Sequence, residues 1–272
     1  MLNTIEETNP HINEFLSGRK IDTGFNFDVS FLSERQIIKS RIETTLSVLK
    51  GKKVLHIGCA DHIESIEKKM KSGNHVQMLL EKKCAMCIGI DNNEQAINYL
   101  KKQYGISNII YADVLDPHFQ NEEVFSNTWD YILLGEVLEH INNPVFFLEQ
   151  LKKKFKSCVR KILISVPNAY GQVTIQAYKS RKIEFINSDH RFWFSPYTLA
   201  KVMHQSGISL DKIIVADPPP PNIYYRVMNK LLMKMNINTV YPVGCQKGHL
   251  STTLIGIGRL DNFADIPNKS TH

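Results

Sequence analysis

The sequence contains no apolar run long enough to cross a bilayer, so stable membrane insertion is not expected. It has no internal repeat, which excludes solenoid and propeller architectures. Residues Met1 to Pro10 carry Glu6 and Glu7 and lack an apolar core, so they do not read as a secretory leader. Cysteine is sparse and odd in number: Cys59, Cys84, Cys87, Cys158 and Cys245. Without a leader, that pattern points to reduced thiols in a cytoplasmic protein rather than a disulfide scaffold. No sign of charge dominates, because 33 Lys and Arg against 27 Asp and Glu leave +6. Such a balance suits an anionic ligand and does not mark a nucleic-acid binder.

What is present is an ordinary globular composition, 43% hydrophobic and 22% charged over 272 residues, which excludes collagen-like, coiled-coil and disordered chains. That length buries a core without disulfides or a structural metal. Residues 1–50 read as an irregular arm followed by a helix. Ser33 to Gln36 has capping-box spacing, and Ile37, Ile38, Ile42, Leu46 and Leu49 then form a helical apolar face. From residue 51 the pattern changes to short apolar strands at Val54–Ile57, Met86–Ile90, Asn108–Tyr111, Asp130–Leu134 and Lys161–Val166. Helical segments at Glu94–Gln103, Pro144–Phe155 and Pro196–Ser206 alternate with them or come after them, and Ile63–Cys84 reads as a loop and one longer helix. Strands separated by helices imply βαβ units and a parallel sheet. Ser209–Ala216 and Ser251–Leu260 read as two further strands. Between them lie four prolines, Pro218 to Pro221, and an apolar, basic helical segment, Tyr224 to Met235, forming an insertion at about 218–248.

In open α/β sheets ligands sit beyond the carboxyl ends of the strands. After the first strand comes Gly58, with Ala60 and His62 at the two remaining glycine positions of a G-x-G-x-x-G fingerprint. Asp91 comes after the second strand, where an acid can hold a ribose diol, and Asp113 after the third. Each acid also serves as an ordinary turn or cap residue.

These stretches, in this order, resemble the class I S-adenosylmethionine-dependent methyltransferases. Val54–His62 resembles their first motif, Gly89–Leu100 the second strand and its helix, and Trp129–His140 the fourth strand and the start of a helix. Ile162–Asn168 resembles the fifth strand, and Asp189–Leu199 the approach to the last helix. The resemblance implies a Rossmann-like α/β fold. Its sheet would have seven mostly parallel strands, the last antiparallel, with helices on both faces. It also implies that His56, Gly58, Cys59 and Ala60 adjoin the methionine part of the cofactor, that Asp91 and Asn92 hold the ribose, that Asp113 and Val114 flank adenine, and that Glu136 lies beside the sulfonium. His56 stands where the family usually carries an acid; a His-x-Gly-Cys-x-Asp variant resembles a glycan-linked branch.

The acceptor side is read from Glu136, Glu139 and His140. If they open a helix, positions i, i+3 and i+4 share a face. With His190 they form a set suited to Mg or Mn, and the string resembles those of small-RNA 2′-O-methyltransferases and ubiquinone-pathway O-methyltransferases. Without a metal, His140 or His190 serves as general base. Acids in a first helical turn also favour the helix dipole with no metal involved. The aromatics of Arg191–Phe194 fit a pocket or a core equally. Cys84 and Cys87 form a C-x-x-C pair that enters a buried strand and reads as structural. Lys152–Lys156 reads as a solvated helix end. Arg226, Lys230 and Lys234 on the inserted helix could touch a membrane surface or a phosphorylated substrate; the reading preferred is that they rim a helix that covers the site or forms a homodimer interface.

Three functions are compatible with these residues. The first is O-methylation of a sugar or sugar-nucleotide in surface-glycan assembly. The second is methylation of an RNA ribose 2′-hydroxyl, against which stands the lack of an RNA-binding signature. The third is a non-catalytic partner subunit that retains the fold.

Overall fold

The computed structural model describes residues 5–33, 38–218 and 248–260. The inserted segment with Arg226, Lys230 and Lys234, and Cys245, therefore lie outside the described residues. Seven strands form one sheet: β1 Lys53–Ile57, β2 Met86–Asp91, β3 Ile109–Tyr111, β4 Trp129–Gly135, β5 Val159–Pro167, β6 Ser209–Ala216 and β7 Thr253–Arg259. Their order is β3-β2-β1-β4-β5-β7-β6. The pairs from β3 to β5 are parallel, and β7 runs antiparallel to both β5 and β6. This is the expected sheet, with its last strand reversed.

The described helices are α1 Ile5–Thr8, α2 Ile12–Leu16, α3 Arg41–Leu49, α4 Ile63–Lys71, α5 Val76–Lys83, α6 Glu94–Tyr104, α7 Glu122–Phe125, α8 Pro144–Phe155, α9 Gln172–Gln176 and α10 Pro196–Gln205. None is long and apolar enough to cross a membrane. Central strands are apolar on both faces because helices cover both. Successive residues alternate between those faces. Leu55, Ile57, Ile132, Leu134, Ile162 and Ile164 join the core that includes Leu148, Leu151 and Leu199 of α8 and α10. Val54, Leu133 and Leu163 join the core that includes Leu49 of α3 and Leu80 of α5.

Several boundaries differ from expectation. Ser33 ends a 3-10 turn, Ser30–Ser33, and does not cap the first long helix. That helix starts seven residues later, at a second string of the same pattern. Ser40 Oγ accepts from the Glu43 N–H, and the Ser40 N–H donates back to the Glu43 carboxylate. Ile38 consequently lies outside the helix, while Ile42, Leu46 and Leu49 lie within it. The stretch Ile63–Cys84 forms two helices, broken where Gly73 takes a φ of 70°. The arm is docked rather than free. Phe15 stacks on Phe25 at 4.0 Å between ring centroids, Gln205 donates to the Leu16 carbonyl at 2.6 Å, and Ile12, Leu16, Phe31 and Leu32 enter the larger core.

One packing constraint fixes the site's foundation. A Cβ on Gly89 of β2 would stand 2.7 Å from Cys59 Sγ and 2.8 Å from Ile109 Cγ2, so the strand must be bare there for the β1 turn to close over it. Gly89→Ala should therefore cost roughly 1–3 kcal/mol by overpacking. A thermal melt should fall by several degrees; an unchanged melting temperature would show that the turn has room to move.

Candidate active site

A cleft of about 1040 Å³ opens at the carboxyl ends of β1, β2 and β4. It is lined by every residue expected at the cofactor: His56, Gly58, Cys59, Ala60, Asp91, Asn92, Asp113, Val114 and Glu136. Glu139, His140 and His190 line the same cleft.

The β1 turn shows why one glycine suffices. Gly58 has a φ of 74°, and a Cβ there would lie 2.4 Å from Val137 Cγ2. Its N–H donates to the Ile90 carbonyl at 2.9 Å, closing the turn on β2. Asp91, the last residue of β2, is 8% exposed. One oxygen accepts from the Ala60 N–H at 2.8 Å and the other from the Asn93 N–H at 2.9 Å. Burial pushes this carboxyl above its usual range, opposed by those two N–H groups. The carboxylate is thus held rigidly at the cleft wall with lone pairs to spare. Cys59 is buried, and burial raises its thiol well above its ordinary range, which leaves it unreactive. Asp113 is exposed and accepts from the Leu115 N–H at 2.9 Å, so it also serves its own turn.

His56 occupies the position of an acid but behaves as a neutral group. It is 3% exposed, and Nδ1 donates to Gln77 Oε1 at 2.9 Å. Burial is the largest cause holding its pKa down at about 4.

The segment after β4 departs from the expected helix. Glu136 takes a left-handed backbone, φ 60°, and only a 3-10 turn, Leu138–His140, comes after it. Helical i, i+3, i+4 spacing therefore does not operate, and among the described residues Glu136 is not part of the group whose ligating atoms converge. Its Oε1 accepts from Ser165 Oγ at 3.0 Å and lies 3.8 Å from Arg41 Nε.

Glu139, His140 and His190 do converge. One ligating atom from each lies within 4.8 Å of the others. The Glu139 side chain is 0% exposed, and neither carboxylate oxygen has a hydrogen-bond partner among the described residues. His190 Nε2 lies 3.9 Å from Glu139 Oε1. Burial first, and the Glu136 carboxylate second, push the Glu139 carboxyl strongly upward. His140 Nδ1 stands 3.0 Å from an Asp189 carboxylate oxygen, so it is the donor and Nε2 is the free lone pair. The His190 segment is tied beneath by Arg191 N–H donating to the Glu139 carbonyl at 2.8 Å. A buried carboxylate without partners is costly and must share a proton or a cation. A carboxylate and two imidazoles, one imidazole anchored by a second carboxylate, form a donor set suited to a divalent ion.

The neighbouring aromatics divide. Phe194 is core at 3% exposed, Phe192 is 40% exposed, and Trp193 donates to Glu184 at 3.0 Å. Cys84 and Cys87 remain free thiols, both raised by burial. Two site residues escaped the sequence reading. Asp189 contacts His140 across 49 residues, which no local pattern signals. Arg41 lines the cleft from α3, and the Ser40–Glu43 capping box just before β1 was the available sign.

Residues 32–213 match the model of the family described as "Methyltransferase domain". The fold and this match define a transferase of methyl groups from S-adenosylmethionine. The chain belongs to that methyltransferase-domain family, and the non-catalytic reading is set aside. No curated protein matches the sequence. Among solved structures, a SAM-dependent methyltransferase of Thermotoga maritima, described as a possible histamine N-methyltransferase, shares 12% identity over 81% of this chain and 87% of its own, with a TM-score of 0.50. The methyltransferase domain of bacterial CtHen1 shares 17% identity over 80% and 97%, with a TM-score of 0.48. The small RNA methyltransferase HEN1 shares 15% over 93% of this chain but only 27% of its own, with a TM-score of 0.48.

The depressed pKa of His56 has a measurable consequence. Between about 4 in the folded chain and about 6.5 when unfolded, only the unfolded state binds the proton. Stability is therefore present at neutral pH and falls as pH drops through that window. His56→Asn, which keeps a donor towards Gln77, should lose roughly 2–3 kcal/mol less than the wild type between pH 7 and 4.5. Denaturant unfolding at both pH values checks this; equal losses would mean that His56 is already charged or solvated.

Proposed function

We propose that this methyltransferase acts on a hydroxyl group of a sugar or sugar-nucleotide, with Glu139, His140 and His190 as the acceptor centre. The observation that carries the reading is the buried, partnerless Glu139 carboxylate facing two imidazoles in the cofactor cleft. Bound S-adenosylmethionine supplies a methyl group already activated by its sulfonium. Asp91, oriented by the Ala60 and Asn93 N–H groups, accepts the ribose hydroxyls, with Asn92 beside it. Asp113 and Val114 flank the adenine, and the bare Gly58 turn lets the backbone approach the cofactor. Glu136 lies towards the reacting sulfur. Alignment of acceptor oxygen, methyl and sulfur then supplies much of the rate.

The donor set fits Mg or Mn held by Glu139, His140 and His190, with Glu136 turned away to Ser165 and Arg41. Such an ion would hold neighbouring acceptor oxygens and ease loss of the hydroxyl proton. Asp189 fixes the His140 tautomer so that Nε2 faces the acceptor side as ligand or, without an ion, as base.

A specific observation favours a second acceptor, the ribose 2′-hydroxyl of an RNA end. The segment that leads into the cleft-lining residues Asn187 to Arg191 carries exposed Tyr170, Tyr178 and Phe185 together with exposed Lys179, Arg181, Lys182 and Arg191. Exposed rings and cations together suit stacked bases and phosphates.

Transfer of labelled methyl from S-adenosylmethionine should be measured with nucleoside-diphosphate sugars and with short RNA, each with Mn or with EDTA. Sugar labelling that chelation or Glu139→Gln lowers by at least about 10²-fold is expected. Labelling of RNA alone would establish the second acceptor instead. EDTA-resistant turnover lost about 10²–10⁴-fold in His140→Ala would assign His140 as base and discard the ion.

A further inference from the structure

We infer that residues 170–192 form a docking surface for an anionic lipid bilayer, which sets the acceptor side of the cleft against the headgroup layer. The docking rests on this segment alone. Its consequence, that the sugar acceptor is carried on a lipid, deepens the reading proposed above and rests on it.

Among the described residues, twelve large apolar side chains are exposed, and seven of them fall in this one stretch. The remaining five are spread between residues 21 and 146. Single exposed apolar residues are ordinary, whereas a concentration of them marks a binding surface. Four of the seven are rings: Tyr170, Tyr178, Phe185 and Phe192, with Tyr178 68% and Phe185 63% exposed. Three are aliphatic: Val173, Ile183 and Ile186. Among them stand Lys179, Arg181 and Lys182, exposed and without an ion pair among the described residues. The two acids of the stretch are engaged. Glu184 accepts from Trp193 Nε1 at 3.0 Å, and Asp189 faces His140 and Arg191. The charge left to attract a partner is therefore positive.

The fold holds this stretch at the acceptor side. It leaves β5 and returns before α10, and its two ends are tied together where the Ala169 N–H donates to the Phe194 carbonyl at 2.8 Å. Asn168 fixes the base by donating from Nδ2 to the Ser251 carbonyl at 2.8 Å. Near the far end the Arg191 N–H donates to the Glu139 carbonyl, and Asn187 to Arg191 line the cleft. A surface seated on this stretch therefore meets the cleft beside Glu139 and His190.

Composition separates the classes of partner. Rings and cations alone would suit nucleic acid, but Val173, Ile183 and Ile186 have no counterpart among stacked bases. A protein interface gathers apolar residues at its centre and keeps charges at the rim, whereas Tyr178 to Ile186 interleaves the two kinds. The headgroup layer takes that interleaving. Rings and aliphatics enter the acyl boundary, while Lys and Arg reach the lipid phosphates along their own stems. No described helix crosses a membrane, so the contact argued is one at its surface.

The test is flotation of the full chain with vesicles of mixed phosphatidylglycerol and phosphatidylcholine, and with vesicles of phosphatidylcholine alone. Short single-stranded RNA is titrated in parallel. Binding to the anionic vesicles is expected, weakened by added salt. Lys179→Gln, Arg181→Gln and Lys182→Gln together should weaken it roughly 10²-fold. Ile183→Ser, Phe185→Ser and Ile186→Ser together should weaken it at least about 10-fold. Both sets replace exposed side chains, so the wild-type melting temperature should persist; the contrast between the two vesicle types in the wild type carries the test if a set does not fold. No binding of the wild type to anionic vesicles, or equal binding to both vesicle types, overturns the inference. Vesicle binding indifferent to the three apolar substitutions overturns it too, because the stretch would then be a cationic patch only. RNA binding in place of vesicle binding overturns it in favour of a nucleic-acid surface. Sugar labelling without vesicle binding removes the docking and leaves the proposed reading standing; vesicle binding without sugar labelling does the reverse.

Discussion

The Asp217 carboxylate joins parts of the chain that sequence keeps far apart. One oxygen accepts from the Arg41 N–H at 2.9 Å and the other from Thr253 Oγ1 at 2.8 Å. Asp217 comes directly after β6, Thr253 begins β7, and Arg41 begins α3. A single side chain therefore sets where the first long helix starts relative to the last two strands. Its backbone contributes as well: the Asp217 N–H donates to Lys39, and its carbonyl accepts from Thr252. Asp217 holds a φ of 54°, an uncommon conformation for a residue with a side chain, and asparagine and aspartate tolerate it best. Everything α3 presents to the cleft depends on this junction.

The cleft is organised by what is charged and what is not. Two backbone N–H groups oppose the upward push of burial on the Asp91 carboxyl, whereas His56 is kept neutral by burial. Glu139 has neither support, and that contrast gives it its chemical interest. Two carboxylates three residues apart thus have opposite surroundings. Glu136 is engaged by Ser165 and faced by an arginine; Glu139 is enclosed and unpartnered. The left-handed backbone at Glu136 turns the chain out of any regular helix between the two.

The sheet was legible because parallel strands buried on both faces leave apolar runs that end at turn residues. Lys53–Ile57 and Met86–Asp91 stop where Gly58 and Asp91 indicate. The acceptor side was less legible, for identifiable reasons. Glu136 to His140 carries helical spacing, yet the turn at Glu136 overrides it. Two strings of capping-box spacing precede β1, and the one at Ser40, which begins α3, is supported by the tertiary contact with Asp217. Asp189 meets His140 through folding of a loop, and no periodicity anticipates a contact between segments without regular structure. The hydrogen-bond partner of the buried His56 is Gln77, 21 residues away on another element.

The placement of β7 also bears on how the chain acquires its structure during synthesis. β7 is the last strand in the sequence but sits between β5 and β6, pairing with Lys161–Pro167 on one side and Ser209–Ala216 on the other. β6 has no neighbour in the sheet until β7 arrives. On a ribosome, the β3-β2-β1-β4-β5 half can assemble as it emerges, whereas the β6 edge must wait until residue 259 has left the exit tunnel. At roughly 5–20 residues per second, the 43 residues between the ends of β6 and β7 keep an unpaired strand waiting for several seconds. β6 carries exposed Asp211 and Lys212 along this interval. Charges on an unpaired strand discourage edge-to-edge association with other nascent chains.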